Sequence, residues 1–180
     1  MKRITIFKAL ATIVAMLCLA TFISCEKEEI NTAQHNSPKY VKAIEYYEVT
    51  LSEDFYDLYD VVATIGNSET DVKTIKLDSC VWKYSKTWDY IIPGKFTCDV
   101  IATVKNPLPE IDPDKLYTFK IESSALLQLF DEAGRLTLPT WDGSNGTHHG
   151  MSLKGVDKVT KYVTENYKEV VILNTSYTIK

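Results

Sequence analysis

The chain reads as a mainly β protein of two packed sheets, with one short helix near the C-terminus. Three observations predict this. Alternating polar and apolar residues recur through residues 40–180, as in strands with one buried face. Proline and glycine clusters separate those runs, as at Asn106 to Asp114 and Thr140 to Gly150. One late stretch, Val156, Val159, Val163 and Tyr167, repeats at helical spacing instead.

Taken in order, Tyr40 to Leu51 is rich in Tyr, Val and Ile and predicts a first strand. Ser52 is placed to cap one helical turn through Glu53, Asp54 and Phe55, with Phe55 and Leu58 on one side. Asp60 to Ile65 is a short β-prone run closed by the turn residues Gly66, Asn67 and Ser68. Val72 to Tyr84 predicts one half-buried strand, with Ile75, Leu77, Ser79 and Val81 alternating against Lys76, Asp78, Cys80 and Trp82. Phe96 to Val104 alternates Phe96, Cys98, Val100 and Ala102 with Thr97 and Asp99.

Pro107, Pro109 and Pro113 mark a connection, after which Tyr117, Phe119 and Ile121 alternate again. Leu126 to Phe130 and Leu136 to Leu138 flank Asp131-Glu132-Ala133-Gly134, a turn ending in Gly that predicts a hairpin with a bulge. Beyond the glycine-rich loop comes the helix of about three turns, and Val170 to Ile179 returns to strand character. About seven or eight strands with one helix predict an immunoglobulin-like or related β-sandwich, whose strand order is not readable from the residues.

Ahead of this domain stands a targeting segment. Lys2, Arg3 and Lys8 form a basic start, Ala9 to Ile23 is almost wholly apolar, and the small residue Ser24 precedes Cys25. That is the layout of a secretory signal, residues 1–24. The apolar run is about 15 residues, shorter than the roughly 20 that span a bilayer as a helix, which argues against a retained transmembrane anchor. Phe22-Ile23-Ser24-Cys25 resembles a lipoprotein signal-peptidase box, with Phe22 where Leu is usual. The resemblance implies cleavage after Ser24 and acylation of Cys25, and several acyl chains at about 0.8 kcal/mol per buried methylene make a durable hold on the bilayer. The acidic run Glu26 to Glu29 resembles the export tag of surface lipoproteins of Bacteroidetes; a plain solvated start to a tether is the alternative. The expected location is the outer membrane, lipid-anchored, on the cell surface.

Residues 25–39 are polar, with Asn31, Gln34, Asn36, Ser37 and Pro38, and cannot bury enough to offset their ordering entropy. They read as a lipidated tether to the domain at 40–180. Cleavage leaves 17 basic residues against 24 acidic ones, a net charge of −7. That balance, without a basic stripe, argues against a nucleic-acid partner. Two thiols, Cys80 and Cys98, remain besides Cys25. An exported location permits a disulfide between them. A hairpin centred near residue 89 would bring them together and set Trp82 against Phe96. Two separate buried thiols are the alternative.

Several of these features also occur together in a known type. Ser52-Glu53-Asp54 followed by an aromatic and Leu, the run closed by Gly66-Asn67, Trp82, Pro93-Gly94-Lys95-Phe96, Tyr117 and the Asp131 to Gly134 turn resemble small β-sandwich surface lipoproteins of Bacteroidetes that carry no assigned activity. The resemblance implies a bacterial source and this fold. It carries over no catalytic residue.

Candidate chemistry is sparse. His148 and His149, with Asp142, are the weak candidates for a zinc or copper site, because imidazole suits those ions. Adjacent histidines tend to diverge, and no further ligand stands at a recognised spacing, so an ordinary loop is the better reading. Asp142-Gly143-Ser144 lacks the residue between Gly and Ser that a nucleophile elbow needs. Asp54, Asp57, Asp60, Asp112 and Asp114 match no calcium loop and read as solvated acids. The aromatic residues are the remaining lead. Trp88 and Trp141 fall in predicted loops, where packing explains them least, and are the candidate ligand-binding residues.

The expected protein is therefore a non-enzymatic lipoprotein of binding or structural type. It is held in the lipid bilayer by acylated Cys25, has no cofactor, and presents Trp88 and Trp141 to a glycan or an envelope protein. A metal-dependent or hydrolytic enzyme using residues 142–149, or a subunit of an envelope assembly, are the alternatives.

Overall fold

The computed structural model describes residues 40–68, 71–142 and 149–179, the side chains of 138–142 and 149 excepted. The signal peptide, Cys25, the tether and His148 lie outside the described residues. The strands are β1 (Tyr40–Leu51), β2 (Tyr59–Gly66), β3 (Val72–Leu77), β4 (Val81–Asp89), β5 (Lys95–Val104), β6 (Leu116–Asp131), β7 (Leu136–Asp142), β8 (His149–Lys154) and β9 (Glu169–Thr178). Helix α1 (Glu53–Leu58) joins β1 to β2, and α2 (Val156–Lys161) runs into a π-turn, Tyr162–Asn166, before β9.

These elements form the expected two-sheet antiparallel sandwich. One sheet has the order β4-β1-β6, with β7 and β8 following one another along the far side of β6. The other has the order β3-β2-β5-β9. Alternation sets the faces: Tyr59, Val61, Ala63 and Ile65 of β2 and Phe96, Cys98, Val100 and Ala102 of β5 point inward and are buried. Tyr117, Phe119 and Ile121 do the same from β6, which continues unbroken to Asp131.

The Asp131 to Gly134 turn forms as expected. Gly134 has φ 72°, which favours glycine, and its N–H donates to the Asp131 carbonyl at 2.9 Å. The Asp131 carboxylate accepts from the Ala133 and Arg135 amides, at 2.9 Å each, and pairs with the Arg135 guanidinium.

Three expectations change. The run from Val72 to Tyr84 is two strands: β3 and β4 belong to different sheets, and the chain crosses between them at Asp78 to Cys80. Ser52 makes no side-chain cap to α1. Its hydroxyl donates to the Thr118 carbonyl at 2.5 Å and accepts from the Lys120 amide at 3.0 Å, tying the start of α1 to β6. The three-turn helix is six residues of α-helix finished by the π-turn, with Val159 and Val163 fully buried and Val156 exposed.

The interior is divided. The main core centres on an aromatic group in which Phe119 stacks on Tyr162 at 4.8 Å and meets Phe55 edge-on at 6.1 Å. A smaller cluster of Ala43, Phe96, Leu127 and Leu129 lies toward the start of β1. Between the two, β1 turns Glu45 inward at 0% exposure.

Candidate functional site

Strand β1 alternates Ala43, Glu45, Tyr47, Val49 and Leu51 toward the interior, so its pleat forces a carboxyl among apolar neighbours. A bare buried carboxylate is costly, and the surroundings supply partial compensation. Asn67, at the end of β2 and itself buried, donates from Nδ2 to Glu45 Oε2 at 3.1 Å. The Tyr47 hydroxyl donates to the same oxygen at 3.4 Å. Burial pushes the Glu45 carboxyl above the usual carboxylate range, opposed by Asn67, Tyr84, Trp88 and, more weakly, Lys86. The effect is mutual. Burial and then the neighbouring Glu45 push the Tyr47 and Tyr84 phenols up, and burial, Asp99 and Glu45 push the Cys98 thiol to about 12.

Facing this group is β4, the edge strand of its sheet. Trp82, Tyr84, Lys86 and Trp88 alternate onto its inner side, all half-buried. Trp82 stacks on Tyr84 with centroids 6.3 Å apart and planes 22° from parallel, and Tyr84 stacks on Tyr47 at 5.9 Å. The Lys86 ammonium lies 3.5 Å from the Trp88 ring centre, a cation–π contact, and Trp88 meets Phe96 of the opposite sheet edge-on. Two buried side-chain polar atoms among the described residues have no hydrogen-bond partner: Glu45 Oε1 and Trp88 Nε1. Trp88 approaches near enough to favour the charged carboxyl without meeting hydrogen-bond geometry. One is an acceptor and the other a donor.

Trp88 therefore lies in a strand, and so does Trp141, which the sequence placed in a loop. Trp88 is paired with Ala43 of β1, whereas Trp141 is paired with Leu127 of β6. The two tryptophans stand in different strands of the sheet, with β1 and β6 between them. Asp142 ends β7 and His149 begins β8, while His148 is outside the described residues, so the metal candidates are placed by backbone alone. Among the described residues no cluster of three metal-ligating side chains occurs. The acidic candidates are otherwise engaged: Asp54 and Asp57 share Lys115 at 2.6 and 2.7 Å, and Asp60 pairs with Lys76 at 2.8 Å.

The expected Cys80–Cys98 hairpin does not form. Both thiols are free: Cys80 leads into β4 of one sheet and Cys98 is buried in β5 of the other. Trp82 accordingly does not face Phe96; Trp88 does.

Glu45 and Asn67 are the site residues that sequence reasoning missed. Glu45 shares its alternation phase with Val41, Ala43, Tyr47, Val49 and Leu51, whereas Glu48 shares its phase with Lys42, Ile44, Tyr46 and Thr50. The more apolar phase was the available signal, and it points to Glu45 as the inward carboxyl. Among the described residues, no helix is long and apolar enough to cross a membrane. Comparison with known proteins gives no match to a family model, a curated protein or a solved structure.

Proposed function

We propose that the chain is a lipid-anchored binding protein of the outer membrane, held through acylated Cys25, that takes a glycan on the aromatic flank of β4. The observation that carries the binding site is the row of half-buried rings on β4, backed by Glu45 Oε1 and Trp88 Nε1, both buried and without hydrogen-bond partners. The two atoms are enclosed, so they set the polarity behind the rings and do not themselves touch a ligand. Trp82 and Tyr84 supply nearly parallel faces for sugar rings, and the neighbouring carboxyl and amide supply orienting polar groups, the mixture expected of a small-ligand site. The signal layout ending at Cys25 and the acidic run after it support surface display, as in the lipoproteins of Bacteroidetes that the chain resembles.

The test is a glycan array probed with the wild-type protein and with Trp82→Ala and Trp88→Ala, each checked for folding by circular dichroism. Specific glycan binding lost in folded variants supports the site. Binding that both variants retain removes the site from β4, and an array without hits removes the glycan.

A further inference from the structure

The connection from β4 to β5 carries two large apolar residues that the sandwich does not use. Tyr90 is 86% and Ile91 85% exposed, while Ile92 packs against the smaller core cluster and pins the segment to the domain. The tip is tied to β1 through its backbone. The Tyr90 amide donates to the Val41 carbonyl at 2.7 Å, and the Ile91 amide donates to Asp89 at 2.8 Å. Tyr90 also has φ 63°, a left-handed conformation that is an outlier for a bulky side chain. Strain of that kind persists where the surroundings enforce it, and it is concentrated at functional positions. Here it holds an aromatic ring out into solvent.

The location of the tip gives it meaning. Val41 is the second residue of β1, so Tyr90 is hydrogen-bonded to the point where the chain enters the domain. The fifteen residues 25–39 reach at most about 50 Å when fully extended, so a bilayer holding Cys25 is never farther than that from the tip. We infer that Tyr90 and Ile91 are a second, non-covalent membrane contact, set into the interfacial region of the bilayer to which Cys25 is anchored. This rests on the anchor reading above. Tyr suits the headgroup level, with an apolar ring and a polar end, and Ile adds an apolar contact beside it. Two side chains alone bind weakly, but the covalent anchor makes their contact intramolecular and raises their effective concentration. A tip tied in this way also loses little freedom on insertion.

The charges around it define the surface it fits. A cleft of about 300 Å³ between Tyr90 and the β6–β7 turn is lined by Lys42, Asp89, Phe130, Asp131 and Glu132, so acids outnumber bases there. Asp131 is already paired with Arg135. The acidic excess disfavours anionic headgroups, and the exposed groups of the tip are Tyr90 and Ile91, so the contact is an apolar one with a zwitterionic bilayer.

The test uses the lipidated protein reconstituted into phosphatidylcholine vesicles whose acyl chains carry bromine, a quencher of tryptophan emission. Tyr90→Trp and Ile91→Trp place the probe at the tip, and Asp78→Trp places it at the other end of the sandwich, with the native tryptophans as baseline. The expected result is loss of most of the added emission at 90 or 91, none at 78, and no change when phosphatidylserine is included. Mass spectrometry of the N-terminal peptide separates the two readings. A Cys25 without acyl mass overturns the anchor and the tip proposal with it. An acylated Cys25 with equal quenching at all three positions overturns the tip proposal alone and leaves Tyr90 and Ile91 to a protein partner. Quenching that requires phosphatidylserine overturns the apolar basis of the contact.

Discussion

Glu45 and Lys86 stand directly opposite one another across the β1–β4 pair, yet the lysine ammonium rests on the Trp88 ring and Glu45 Oε1 is left without a partner. Burial of that carboxyl disfavours its charged form. Glu45 is raised above the usual carboxylate range by burial, so it favours the fold below its unfolded-state value, and that contribution is lost as pH rises through the higher folded value. Replacing the carboxyl with the neutral amide in Glu45→Gln should stabilise the protein at neutral pH by on the order of 1 kcal/mol. The advantage should shrink as pH falls through the raised folded value. Thermal melts of both proteins across that pH range check it, and a variant less stable than wild type at neutral pH would contradict the account.

The two thiols offer a chemical check on the sheet assignment. Cys98 is fully buried and its thiol is pushed up to about 12, so it should resist alkylation in the native protein and react once unfolded. Cys80, half-buried in the crossing between sheets, should label first. Mass spectrometry after timed iodoacetamide treatment reads both sites, and a species lacking two protons and inert to alkylation would mean a bridge.

These two sites show what period-2 alternation can convey. The β6–β7 turn was legible because Asp131 and Gly134 have separate local jobs, one capping amides and the other adopting φ 72°. The Val72 to Tyr84 run was not, because alternation continues through Asp78 to Cys80 while the chain passes from one sheet to the other. Pleating reports a face but not the sheet that owns it. Glu45 was legible in principle, since its phase of β1 is the more apolar one, but the alternation does not say that Asn67 of another strand's end would meet it.

Gly66 has a steric duty. A Cβ there would lie 2.7 Å from Thr97 Oγ1, whose hydroxyl donates to the Gly66 carbonyl at 3.0 Å. Gly66→Ala should cost about 1 kcal/mol or more by displacing that hydrogen bond. Thr97→Ala removes the obstacle, so the double variant should be less destabilised than the two single losses summed. Urea unfolding of the four proteins measures the coupling, and strict additivity would rule out the clash.

Tyr90→Gly should move stability the other way. The wild-type φ of 63° carries strain that glycine does not feel, and the exposed ring gives up almost no packing. A gain of roughly 1 kcal/mol is expected from relief of the left-handed conformation, visible as a higher urea midpoint at unchanged slope.

Phe119→Ala tests the main core. The ring is 1% exposed and touches Phe55, Tyr59 and Tyr162 across three elements. Truncation should cost about 3–5 kcal/mol, enough to leave a domain of ordinary stability partly unfolded. Calorimetry should show the loss, and a drop under 1 kcal/mol would place the centre of the core elsewhere.

Strand β1 is both the entry of the chain into the domain and the strand on which β4 is laid, from Lys42–Asp89 to Thr50–Val81. The same strand is laid against β6 on its other side, from Tyr40–Asp131 to Leu51–Ile121. The entry of the chain is thus built into the middle of its sheet and not onto a frayed edge, so whatever pulls on the N-terminal side meets two ladders of hydrogen bonds before the β4 flank is disturbed.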